Sequence, residues 1–164
     1  RNNPVEVLET KSPMFIESYG YRPDSGGAGE HRGGVGVSRV YRFEAPSSGI
    51  CLVYKTRTKP WSMDGGGVGD NNHVILNPGT DREVVQGGSY NHLEVDDVLV
   101  NNTGGGGGWG DPLRRDVAAV QRDVRNGFVS VEAAERDYGV AIDPTSLEVD
   151  AARTEVLRSA GASA

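Results

Sequence analysis

The sequence predicts an α+β fold: a mainly antiparallel β body carrying long glycine-rich loops, followed by two or three C-terminal helices. Three observations predict it. Short apolar runs bounded by turn residues fill the chain to about residue 100. Fifteen of the 24 glycines gather in three stretches without a fixed period, which excludes a collagen-like repeat and marks loops. After Gly110 the apolar spacing lengthens from two residues to three or four, with capping residues at both ends of each run. Residues 1–110 therefore read as a glycine-loop β domain, and residues 111–164 as a helical segment packed on it or on a partner.

The elements follow in order. Residues 5–8 and 14–19 read as short strands. Residues 35–43 alternate, with Val35, Val37, Arg39, Tyr41 and Phe43 on one face and Gly36, Ser38, Val40 and Arg42 on the other. Pro46-Ser47-Ser48-Gly49 supplies turn chemistry, and residues 50–55 follow as a return strand, so a hairpin is expected. Cys51 lies in that run and reads as a buried structural thiol. Residues 73–76, 83–86 and 90–100 are further strands. Turns are expected at Pro78-Gly79-Thr80-Asp81, at Gly87-Gly88 and at Asp96-Asp97.

Asp111 reads as a helix N-cap with Pro112 at the first helical position. Leu113, Val117, Val120 and Val124 then share one helical face, and Asn126-Gly127 ends the helix. Ser130 caps a second helix, with Glu132 in its first turn and Gly139 at its end. A third helix is expected over residues 150–159, and the tail 161–164 is expected to fray.

Composition excludes several function classes. The net charge of -6 opposes nucleic-acid and anionic-membrane binding, so the helix pair after Asp111 is read as packing helices and not as a DNA reader. No apolar run reaches membrane-spanning length and no signal-peptide pattern opens the chain. The lone Cys51 excludes an internal disulfide framework and suits a cytoplasmic location. His31, His73 and His92 lack the spacing that puts two metal ligands on one face, so no metal site is expected in this chain. The chain opens on Arg1, with no initiator Met, so an upstream part is expected.

The three glycine stretches are the candidate sites. The first, residues 22–34, precedes a strand and ends without a Lys-Ser or Lys-Thr pair, so it is neither a P-loop nor a dinucleotide fingerprint. Its Ser25, Gly26, Gly27, His31 and Arg32 are candidates for binding an anion or carbonyl oxygen. The competing reading is tight loop packing. The second, residues 57–69, joins Arg57, Lys59 and Trp61 to a glycine run, which suits a substrate or phosphate pocket or a surface loop. The third, residues 102–112, ends on Asp111, whose charge opposes a second anion at the helix start, and is read as a joint between β body and helices. Ser25 lacks the Gly-x-Ser-x-Gly surroundings of a hydrolase nucleophile, and no catalytic residue is assigned.

Together these residues resemble the hydantoinase B/5-oxoprolinase family. The run from Tyr21 through Gly29 into His31-Arg32-Gly33-Gly34-Val35-Gly36 is similar to that family's glycine signature. The run from Gly104 to Pro112, with Leu113-Arg114-Arg115-Asp116, is similar to its glycines-aromatic-Gly-Asp-Pro stretch. Asp123-Val124-Arg125-Asn126-Gly127 and the Ser130 to Val140 segment are similar to its usual ending. The Arg57 to Gly69 stretch looks shorter than the family's. The resemblance implies the C-terminal part of a subunit supporting ATP-dependent opening of cyclic amides, or of a related ATP-dependent ketone carboxylase. It implies a hydantoinase A-type ATP-using partner, an N-terminal part of the same subunit that carries the metal ligands, and a hetero-oligomer. It implies ATP and a divalent metal for the full assembly, with no cofactor bound by this chain alone. The rival reading is a non-catalytic interaction module of such a complex; a free-standing hydrolase using Ser25 is a third.

Overall fold

The computed structural model describes residues 3–50, 52–86 and 90–161. The chain folds into two compact units. The first comprises Arg1–Gly20, Val37–Arg57 and Asn72–Thr103, and the second Tyr21–Gly36, Thr58–Asn71 and Gly104–Ala164. The glycines of all three stretches thus fall in the same unit as the C-terminal helices. The boundary drawn at residue 110 from sequence is not the one that packing draws.

The strands are β1 (Met14–Arg22), β2 (Gly36–Phe43), β3 (Ser47–Ile50), β4 (His73–Leu76), β5 (Val84–Gln86), β6 (Tyr90–Leu93) and β7 (Val98–Asn102). Five form one sheet in the order β1-β2-β7-β4-β5, and β3 pairs with β6 in a second. The pairings recorded between β2, β7, β4 and β5 and between β3 and β6 are antiparallel, as the sequence predicts. Phe43, Leu76 and Leu93 form the buried core of the first unit, with Met14, Tyr41 and Leu99 packed against it. A polar lock ties two of its turns together. Asn77 Nδ2 donates to Asp97 Oδ1 at 2.9 Å, the Glu94 amide donates to Asp97 Oδ2 at 2.8 Å, and Arg82 pairs with the same carboxylate at 2.9 Å.

Four expectations fail here. Residues 90–100 are not one strand, because a turn at residues 95–96 divides them into β6 and β7, which pair in different sheets. Residues 5–8 belong to a helix, α1 (Val5–Lys11), and not to a strand. Their apolar spacing satisfies both periods, and the helix starts after Pro4, which stands at its N-cap. The hairpin also fails: β2 lies between β1 and β7, so both its edges are taken by other strands. The return segment forms a strand earlier than expected, at Ser47–Ile50, where a turn was expected. Beyond it Leu52 and Tyr54 are 70% and 78% exposed. Cys51, Gly87 and Gly88 lie outside the described residues.

The second unit carries α2 (Val117–Arg125), α3 (Val131–Tyr138) and α4 (Ala151–Gly161). Asp111 does cap Pro112–Arg114, but only as one 3₁₀ turn. Asp116 then starts α2 afresh, its carboxylate accepting from the Ala119 amide at 2.8 Å. The single helix expected here is broken because each Asp offers the chain an N-cap and Arg115 between them is extended. Ser130 caps α3 by accepting from the Ala133 amide, and Gly139 ends it in the left-handed conformation, as predicted. Val120, Val124, Val129, Ala134, Tyr138 and Val140 form the core of this unit, and Ala28 of the first glycine stretch packs on it. No described helix is long and apolar enough to cross a membrane.

Candidate functional site

The second unit is built around its glycines. The three stretches lie against one another backbone to backbone. Gly27 N donates to Gly106 O at 2.8 Å, Gly67 N to Ala28 O at 2.7 Å, and Gly108 N to Gly67 O at 2.9 Å. Gly106 N donates to Gly34 O at 2.8 Å, and His31 and Trp109 exchange both backbone bonds at 2.9 and 3.0 Å. The third stretch therefore runs against the other two and is not set apart as a joint. The approach requires glycine: a Cβ on Gly27 would stand 2.0 Å from Gly67 O, and one on Gly107 would stand 1.9 Å from Trp61 O.

This packing decides what the candidate residues can do. Ser25 is 1% exposed; its Oγ donates to Arg22 O at 2.6 Å and accepts from the Gly36 amide at 2.7 Å. Its proton faces a carbonyl and not a histidine, so nothing prepares it as a nucleophile. The amides of Gly27, Gly67, Gly105, Gly106 and Gly108 already donate to carbonyls within the bundle, so these glycines do not fit a phosphate cradle. Gly26 is equally confined, since a Cβ there would stand 2.4 Å from Gly33 O.

Arg32 is drawn into a buried charge cluster. Its Nε donates to Asp123 Oδ2 at 3.1 Å, Arg115 Nη2 donates to the same oxygen at 2.9 Å, and the guanidinium stands 5.2 Å from the Phe128 ring centroid. The three side chains are 14%, 16% and 10% exposed for Arg32, Arg115 and Asp123. Arg115 also donates to Glu30 O at 2.9 Å, tying the first glycine stretch down. Tyr138 lies beside this cluster; burial pushes its hydroxyl up to about 12, and the charges of Arg115 and Arg32 act against that rise. The sequence points to Arg32 but not to Asp123 or Arg115. Both lie on the helical side of the chain, and their partners on the first glycine stretch, Arg32 for Asp123 and Glu30 for Arg115, are 91 and 85 residues away.

His31 stays accessible. Its ring stands against Trp109 with centroids 5.3 Å apart, and Trp109 is 44% exposed. Met63 pairs with the same strip, donating to Gly108 O and accepting from Gly110 N, both at 3.1 Å. Trp61, Met63 and Val68 are 73%, 53% and 52% exposed. Lys59 is exposed in this unit and Arg57 is exposed in the first. The His, Asp and Glu side chains among the described residues form no group of three fit to hold a metal ion.

Comparison with known proteins gives this geometry a family. The chain is 35% identical over 166 residues to the caprolactamase subunit beta of Pseudomonas jessenii, matching 95% of this chain and 28% of that one. The crystal structure of the ATP-dependent caprolactamase from the same organism superposes with a TM-score of 0.80 at 30% identity, covering 96% of this chain and 28% of that chain. A nucleotide-free acetone carboxylase structure superposes with a TM-score of 0.82 at 20% identity, covering 98% and 26%, which shows a shared fold. The chain thus spans 28% of the length of this curated relative. The hydantoinase B/oxoprolinase family model matches residues 1–112, and the chain belongs to that family.

Proposed function

We propose that this chain is part of an ATP-dependent subunit that opens cyclic amides, and that its glycine bundle is the rigid support of that subunit. The observation that carries the reading is the 35% identity to a caprolactamase subunit across nearly the whole chain; in the structural superpositions the identity is 30% to the caprolactamase and 20% to the acetone carboxylase. The bundle explains what the chain contributes. Its amides and Ser25 are committed inside it, and Arg32 is held by Asp123. These residues support a site without touching a substrate. His31, Arg57 and Lys59 are the exposed candidates for contacting substrate or phosphate oxygens. ATP and a divalent metal are supplied by other parts of a cytoplasmic hetero-oligomer that includes a hydantoinase A-type ATP-using partner.

The test is reconstitution of the full-length protein with its ATP-using partner, offered caprolactam, 5-oxoproline and hydantoin. ATP-dependent release of a ring-opened amino acid is expected for at least one. Carboxylation of acetone with no ring opened would establish the carboxylase reading instead. A stable complex with neither activity would reduce the chain to an interaction module.

A further inference from the structure

The first unit holds a cleft to which the family resemblance assigns nothing. The two-residue period of β2 places Val37, Arg39, Tyr41 and Phe43 on one face. β7 sets Asn101 opposite Arg39 and Leu99 opposite Tyr41. A cleft of about 430 Å³ opens here, with Phe43, Leu93 and Leu99 on its apolar wall and Arg39 and Asn101 on its polar side. A smaller cleft of about 210 Å³, lined also by Tyr19 and Thr103, shares Arg39, Tyr41 and Asn101 with it. The larger volume lies within the range of small-molecule sites.

Among the described residues lining the two clefts, Arg39 is the only charged one. Its guanidinium carbon lies 4.0 Å from the Tyr19 ring centroid, and Nη1 donates to the Tyr41 hydroxyl at 3.2 Å. These neutral partners hold it flat without neutralising it. Among the described residues no carboxylate pairs with it, whereas Arg42 on the same strand pairs with Glu17 and Asp96. A planar guanidinium recognises a carboxylate through two parallel hydrogen bonds, and the apolar wall beside it favours a ligand with a hydrocarbon body. One positive charge matches one negative charge. We propose that this cleft binds a small monocarboxylate with an apolar chain, the carboxylate on Arg39 and the chain along Leu93 and Leu99. The proposal does not rest on ring opening.

The probe is hexanoate, titrated calorimetrically into the full-length protein, with hexan-1-ol as the uncharged control and Arg39→Gln as the variant. Saturable hexanoate binding is expected, at least tenfold tighter than hexan-1-ol and weakened at least tenfold by Arg39→Gln. A hexanoate analogue with a terminal diazirine, photolysed on the wild-type protein, is expected to label Phe43, Leu93 or Leu99. That readout stands even where Arg39→Gln does not fold. Absence of saturable binding, equal affinity for the alcohol, undiminished binding by a folded Arg39→Gln protein, or labelling confined elsewhere would each overturn the assignment. Absence of binding is also the result expected if another segment of the full-length protein fills the cleft.

Discussion

Replacing Gly27 by Ala tests whether the glycines serve packing or ligand binding. The added Cβ would stand 2.0 Å from Gly67 O and 2.7 Å from Gly108 N, against ordinary contacts of 3.4 Å and more, so backbone must move by over 1 Å. The atoms in the way are tied: Gly108 N donates to Gly67 O at 2.9 Å, Gly67 N to Ala28 O at 2.7 Å, and Gly27 N to Gly106 O at 2.8 Å. Losing two of these bonds costs about 2 kcal/mol at roughly 1 kcal/mol each. Overpacking adds about 1–3 kcal/mol, and the reduced freedom of the unfolded chain returns about 0.4–1 kcal/mol. The expected loss is therefore about 2–5 kcal/mol. Gly34→Ala is the control, because nothing lies within 4 Å of a Cβ there and its φ is not positive. It should change stability by less than about 1 kcal/mol. Urea unfolding followed by tryptophan fluorescence measures both, since the chain's two tryptophans, Trp61 and Trp109, lie in the glycine stretches. A Gly27→Ala loss below about 1 kcal/mol, or an equal loss at Gly34, would refute the packing account.

Asp123→Asn leaves Arg32 and Arg115 without their shared counter-charge in a site only 10–16% exposed, so a loss of about 2–4 kcal/mol is expected from denaturant unfolding. Tyr138 titrates near 12 when folded and near 10 when unfolded, so the unfolded chain gives up its proton first as pH rises. Stability should therefore fall between pH 10 and 12 by on the order of 2 kcal/mol more in the wild type than in Tyr138→Phe, measured by unfolding at each pH. Burial alone would raise the Asp97 carboxyl. The Glu94 amide, the Asn77 side chain and Arg82 outweigh it and hold the group below its ordinary value. Its contribution is present above pH 3.8 and is lost as pH falls further, and Asp97→Asn should show a flatter acid limb in the same measurement.

Much of the helical half was legible because its signals are local. Ser130, Gly139 and the Asn126-Gly127 pair act within one turn of the residues they cap, so they can be read from neighbours alone. The strand segments of β2, β4 and β5 were legible for the same reason: alternation in β2, and the short apolar runs of β4 and β5 between turn residues, are properties of consecutive residues. Where a local signal admits two answers, the reading failed. Residues 5–8 satisfy the helical and the extended period alike, and Asp111 and Asp116 compete to start the same helix.

By itself the sequence determined the α+β class, the family, and the presence of three glycine-rich stretches. Only the tertiary structure decided why glycine stands at positions such as Gly27 and Gly107. Strand partners and glycine contacts join residues tens of positions apart: β2 to β7, Gly27 to Gly106, Arg32 to Asp123. Such pairs form because each buried amide must find an acceptor and each buried charge a counter-charge, and the nearest one in space is distant in sequence. That requirement ties Ser25 to Arg22 and Gly36 and pairs Arg32 with Asp123. It also leaves Arg39, a position that alternation marks only as one face of a strand, facing a cleft that has no carboxylate among its described lining residues.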